Sequence, residues 1–151
     1  MKQISEGPFK YHSFIYVLIL IIFFISCTAK NNENLDVIID DPYINLPLKG
    51  QMMSVGYFKL ANHSNESIVL NKIFCKDFDA SLHTSFLNSE GMMAMKSVEN
   101  IQIESGSSII FQPGSHHIMI VGLDAFMKDD KLECSLVIDK TQNLPIVFKL
   151  Q

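Results

Sequence analysis

From Leu35 onward the chain is a succession of short runs in which apolar and polar residues alternate, each closed by a cluster of turn-forming residues. The clearest run is Leu132-x-Cys134-x-Leu136-x-Ile138, where a side-chain period of two sets all four residues on one face of a strand. Comparable runs cover roughly 35–40, 53–61, 67–75, 79–87, 92–98, 107–112, 115–122, 131–139 and 145–150. Between them stand Asn62-His63-Ser64-Asn65, Asn88-Ser89-Glu90-Gly91, Ser105-Gly106 and Gln112-Pro113-Gly114, residues that accept turn dihedrals at little cost. No convincing stretch repeats its apolar residues at helical period. Many short strands at this spacing predict an all-β domain, an antiparallel sandwich or barrel.

The N-terminus has a different character. Lys2 and Lys10 precede an unbroken apolar run from Phe14 to Ile25, twelve residues, which suits the core of a signal peptide. It is shorter than the roughly 18–20 residues that span a bilayer. The run ends in Phe24-Ile25-Ser26-Cys27, an ending that resembles a bacterial lipobox, although leucine is usual where Phe24 stands. The expected organisation is a signal peptide over 1–27 with Cys27 as the lipidation site, a polar tether over 28–34, and a β-sandwich domain over 35–151. A cleaved soluble form or an uncleaved anchor are the other readings, and each of the three exports the domain. The expected location is the bacterial cell envelope, with a membrane anchor and the domain facing the periplasm.

Export changes how the other cysteines read. Cys75 and Cys134 stand in an oxidising compartment, where a disulfide between them is open, while the alternating apolar face around Cys134 favours a small buried hydrophobe. The net charge of −4 and the scattered lysines offer no basic patch for a phosphate backbone, so nucleic acid is not an expected partner.

Four positions carry chemistry once the strands are drawn. His117 and Met119 are two apart on one strand and project from the same side, opposite Ile118 and Ile120. His83 shares a face with Ser81 and Ser85, while Leu82 and Phe86 point the other way. Met95 follows in the methionine-rich stretch Gly91-Met92-Met93-Ala94-Met95, close enough in sequence to return beside His83. His116 is the register hazard, since a slip of one residue exchanges it with His117. Met52, Met53, Met92 and Met93 read first as packing residues, with Met92 or Met93 also able to lie near a metal held by the other four.

This pattern resembles that of the periplasmic copper chaperones known as PCuAC: a His, an optional Met, ten residues, a Met, twenty-one residues, then His-x-Met. Here the series is His83, Thr84, ten residues, Met95, twenty-one residues, His117-Ile118-Met119. With 5 His and 8 Met in 151 residues, chance produces it on the order of 4 times in 10,000. Tyr57-Phe58-Lys59-Leu60-Ala61-Asn62 also resembles the family's early strand, and Pro113-Gly114 before His-x-Met its last metal strand. Thr84 departs from the optional Met, and the two extra cysteines raise the question of a competing thiol.

The resemblance implies a cupredoxin-like antiparallel β-sandwich that binds one Cu(I) through His83, Met95, His117 and Met119, near one end where two loops and a strand meet. It further implies capture and transfer of copper towards the copper centres of cytochrome c oxidase, with a Sco-type thiol protein as a partner. Thioether sulfur and imidazole nitrogen suit Cu(I), whereas magnesium or calcium would want oxygen ligands. No nucleophile motif with an assignable base, no HExxH and no phosphate loop is present, so an enzyme is not expected. Two rival classes are an electron-transfer cupredoxin, which needs a cysteine thiolate with two histidines, and an envelope lipoprotein serving as an interaction module.

Overall fold

The structure is a computed structural model and describes residues 36–123 and 130–151. The expected signal peptide, Cys27 and the tether lie outside the described residues. Among the described residues there are ten strands and no helix: β1 (Val37–Asn45), β2 (Met53–Asn62), β3 (Ile68–Cys75), β4 (Asp79–Leu87), β5 (Met93–Ser97), β6 (Ile101–Ile103), β7 (Ser108–Phe111), β8 (His116–Val121), β9 (Lys131–Ile138) and β10 (Gln142–Leu150).

Hydrogen bonding links them in the order β5-β4-β8-β7-β2-β1-β10-β9-β3-β6, with β2 also paired to β8. The sheet curls on itself, because its inward residues bury against one another: Leu82, Ile118, Ile120, Phe58 and Leu60 from one half, Leu70, Ile73, Ile103, Leu136 and Phe148 from the other. Phe58 stacks on Phe111 at 4.2 Å between ring centroids and meets the edge of Phe148 at 6.1 Å, which ties β2 and β7 to β10 across the core. The fold is therefore the all-β, cupredoxin-like sandwich that the resemblance implies. Its pairings are antiparallel except β1 with β10 and β7 with β8, which run parallel.

Two strand boundaries differ from the sequence reading for local reasons. β1 continues past Asp40 to Asn45 because a bulge absorbs the break: the register shifts between Asp40 and Tyr43, and Asp41 takes a φ of 47°. β10 begins at Gln142 and carries Pro145 inside it. It tolerates the missing N–H because β1 pairs with β10 only at Tyr43↔Lys149 and Ile44↔Leu150, so no β1 partner is registered beside the proline. The three-residue β6 escaped the sequence reading altogether, since three residues are too few to display a period.

Asn62 closes β2 as a fully buried polar residue with its side chain satisfied. Its Nδ2 donates to the carbonyls of Glu66, Ile103 and Glu104 at 2.8, 3.1 and 3.2 Å, and its Oδ1 accepts from the Ser64 N–H at 3.0 Å. One amide thus joins the β2–β3 turn to the end of β6, the kind of satisfied buried polar group that fixes a unique packing.

Cys75 and Cys134 form a disulfide, which corrects the reading of Cys134 as a free buried hydrophobe. They are direct cross-strand partners of β3 and β9, and both side chains are buried. Alternation correctly turned Cys134 inward, but the pairing of two strands 59 residues apart in sequence is a long-range register that no local pattern displays. A cross-link closing a loop of that length is expected to contribute about 4 kcal/mol by the chain-entropy estimate. The Cys75→Ala, Cys134→Ala double variant of the full chain should therefore lose roughly that stability in chemical denaturation, and a reductant should destabilise the parent but not the variant.

Candidate metal centre

The site is built by three adjoining strands, with β4 between β5 and β8. Residues directly opposite in an antiparallel pair point to the same face. His83 opposes His117, and Ser81 opposes Met119, across β4 and β8. Ser85 opposes Met95 across β4 and β5. Since Ser81, His83 and Ser85 alternate along one face of β4, the register brings His83, Met95, His117 and Met119 to one side of the sheet. Leu82, Ile118 and Ile120 occupy the other side and are buried in the core. The donors thus stand on paired strands, rather than on the two loops and a strand that the resemblance implies.

The register also separates the adjacent histidines. His116 opposes Thr84, one position out of step with the donor face, and its ring lies 5.7 Å from that of Phe111. The rings of His83 and His117 have centroids 5.8 Å apart and are tilted by 31°. That spacing is close enough for both imidazoles to reach one ion at metal–nitrogen distances of about 2 Å.

The hydrogen bonds at these rings leave one nitrogen of each open. His117 is 4% exposed, and its Nδ1 lies 3.1 Å from the carbonyl oxygen of Ser115, which can only accept. The proton therefore sits on Nδ1, and Nε2 keeps its lone pair. That Nε2 is buried without a hydrogen-bond partner among the described residues. His83 Nε2 lies 3.0 Å from Ser81 Oγ, and the opposite nitrogen, Nδ1, is likewise buried and unpartnered. Ser54 Oγ and His116 Nδ1 are also buried without a partner among the described residues, but only the open nitrogens of His83 and His117 belong to residues on the donor face, and an open imidazole pair on neighbouring strands fits a site that takes a ligand. Ser81 and the Ser115 carbonyl act as outer partners that fix ring orientation. Ser81 was legible in the sequence as a face-mate of His83; the Ser115 carbonyl had no signal there.

The electrostatics favour the neutral imidazole at His83. Burial lowers the pKa of His83 from its ordinary 6.5, and the neighbouring His117 lowers it further. His116 is lowered by the same two causes in the same order, against a hydrogen bond to the His83 backbone that raises it. No group of three or more His, Cys, Asp or Glu able to hold an ion occurs among the described residues. The disulfide also removes Cys75 and Cys134 as competing thiols.

Exposure distinguishes the sulfurs. Met119 is half-buried, while Met95 on the outermost strand is 58% exposed. Met52, Met53, Met92 and Met93, read from the sequence as packing residues, are instead exposed. The reason is their position at strand ends and in the β4–β5 turn, where no second layer covers them.

This is a β-sandwich with a soft-donor face on β5, β4 and β8, a class of protein that other chains share. The chain belongs to the LpqE-like family, described as "Putative lipoprotein LpqE-like", which matches residues 37–149. Among solved structures it is similar to the copper-bound PCuAC domain from PmoF2, with 19% identity over 76% of this chain and 92% of that one at a TM-score of 0.60. The apo PCuAC domain from PmoF1 matches with 17% identity over 76% and 92%, also at 0.60. The solution structure of apo-DR1885 from Deinococcus radiodurans matches with 17% identity over 100% and 91%, at 0.58. No curated protein matches. These likenesses establish the shared fold and bear out the resemblance to the PCuAC family.

Because the His83 pKa is lowered in the folded state, the folded domain takes up protons less readily than the unfolded chain just below pH 6.5. Metal-free protein should accordingly lose stability as the pH falls through that value towards the lowered one. Histidine NMR should show His83 titrating below 6.5 and neutral His117 with its proton on Nδ1; titration of His83 at or above 6.5 would contradict this account.

Proposed function

We propose that this domain captures Cu(I) outside the cytoplasm and passes it on, holding one ion with His83, Met95, His117 and Met119. The observation that carries the reading is the pair of buried, unpartnered imidazole nitrogens facing the same side as two methionines. All four donors are uncharged. They do little to offset the extra charge of a divalent ion, and their softness favours the monovalent one. The fold shared with a copper-bound PCuAC domain supports the same assignment.

The disulfide and the lipoprotein description of the family support an exported protein of the bacterial envelope, anchored through lipid at Cys27. In that setting thioethers do what thiolates do in a reducing cytosol, without pairing into disulfides. The recipient we propose is the assembly pathway for the copper centres of cytochrome c oxidase, through a Sco-type thiol protein. Copper is cargo in this reading and the chain is not an enzyme: its residues bind, orient and release the ion. The electron-transfer alternative loses its support, because both described cysteines are in the disulfide and supply no thiolate.

Anaerobic titration of the full chain should show one Cu(I) bound, and X-ray absorption should count two sulfur and two nitrogen neighbours. The His83→Ala, Met119→Ala double variant should lose stoichiometric binding while keeping its β-rich circular dichroism. Binding by the double variant as tight as that of the parent would end the proposal.

A further inference from the structure

We infer that Met95 is the ligand released first when Cu(I) leaves, and that the acceptor enters over the free edge of β5. This rests on the reading of the site as a Cu(I) carrier and concerns the order in which its ligands let go.

The four donors are held unequally. His117 and Met119 lie on β8, an interior strand paired with β4 on one side and with β7 and β2 on the other. His83 lies on β4, between β8 and β5. Met95 lies on β5, a strand of five residues that ends the sheet and, among the described residues, pairs with β4 alone. Short edge strands open locally at less cost than interior ones. Each imidazole is also fixed through its second nitrogen, His117 by the Ser115 carbonyl and His83 by Ser81 Oγ. A thioether has no second donor atom through which a neighbour could fix it.

The surroundings favour the same side. Met119 has Ser81 and Val55 as cross-strand neighbours on its two flanks. Met95 is 58% exposed, and the hairpin that carries it also exposes Leu87, Met92 and Met93. Met93 opposes Leu87 and shares the donor face with Met95. An incoming sulfur ligand thus meets an open apolar flank at β5 and packed strands at β8. In the exchange, the acceptor thiol gives its proton to water and its thiolate sulfur bonds to the ion as the bond to Met95 Sδ breaks. Copper stays monovalent throughout, and no electrons change hands.

The test is anaerobic stopped-flow transfer of Cu(I) from the loaded full chain to glutathione, with Met95→Ala, Met95→Leu and Met119→Ala beside the parent. If loss of Met95 limits the rate, both Met95 variants should transfer about tenfold faster, while Met119→Ala, which must still release Met95, gains less than about threefold. With one equivalent of glutathione, X-ray absorption of Met95→Ala should show two nitrogens retained and a thiolate in the vacated place. Acceleration by Met119→Ala equal to or beyond that of Met95→Ala overturns the order. A parent chain that binds no Cu(I) overturns the carrier reading itself, and the order of release with it.

Discussion

The register of β4 against β8 is the constraint on which the rest depends. Opposing His83 to His117 puts Leu82, Ile118 and Ile120 inward and the donor residues outward in one step. A slip of one residue along β8 would turn Ile118 and Ile120 towards the donor side and bring His117 and Met119 into the core. Each isoleucine so exposed costs about 1.5–3 kcal/mol, and an imidazole buried there without a partner costs about as much again. Against a typical net stability of about 5–15 kcal/mol for a whole domain, that penalty is decisive. The same apolar burial that closes the sandwich therefore assembles the soft-donor face, with no separate device needed to hold the donors together.

Buried polar side chains in this domain differ in how far they are satisfied: Asn62 is fully paired, while Ser54 Oγ, His83 Nδ1, His116 Nδ1 and His117 Nε2 have no partner among the described residues. Asn62 is wholly buried, with three carbonyls served by its amide and its oxygen occupied by Ser64. At His83 and His117 one nitrogen of each ring is engaged and the other is left alone, although both rings sit among strands rich in backbone and hydroxyl partners. The engaged nitrogen sets the tautomer or the orientation, and the unengaged one keeps its coordination capacity. Lowering the His83 pKa by burial acts in the same direction, since it withholds the proton that would otherwise compete at that ring.

Much of this was legible in the sequence because it follows from local alternation. The period of two predicted the strands, the inward set Leu132, Cys134, Leu136 and Ile138, and the common side of His117 and Met119. What alternation cannot supply is which strand lies beside which. The choice between His116 and His117 as the partner of His83 depends on inter-strand register, and so does the meeting of Cys75 with Cys134. The bulge at Asp41 hid half of β1, since Asp41-Pro42 reads as a terminator and acts as an interruption. The outer partner of His117 was invisible for a simpler reason: a backbone carbonyl has no residue type.

The disulfide and the thioethers belong to one chemical argument. A thiolate bonds Cu(I) strongly, but two thiols in an oxidising space tend to pair with each other, and here the two described cysteines have done so, between β3 and β9. Sulfur that remains available to metal is therefore methionine sulfur, which is neutral, carries no proton and forms weaker bonds. Weaker bonds suit the capture and release proposed for this domain. Under the proposed function the two histidines would provide most of the hold, which agrees with their place on interior strands and their second hydrogen bonds, while Met95 sits on the strand that ends the sheet among the described residues.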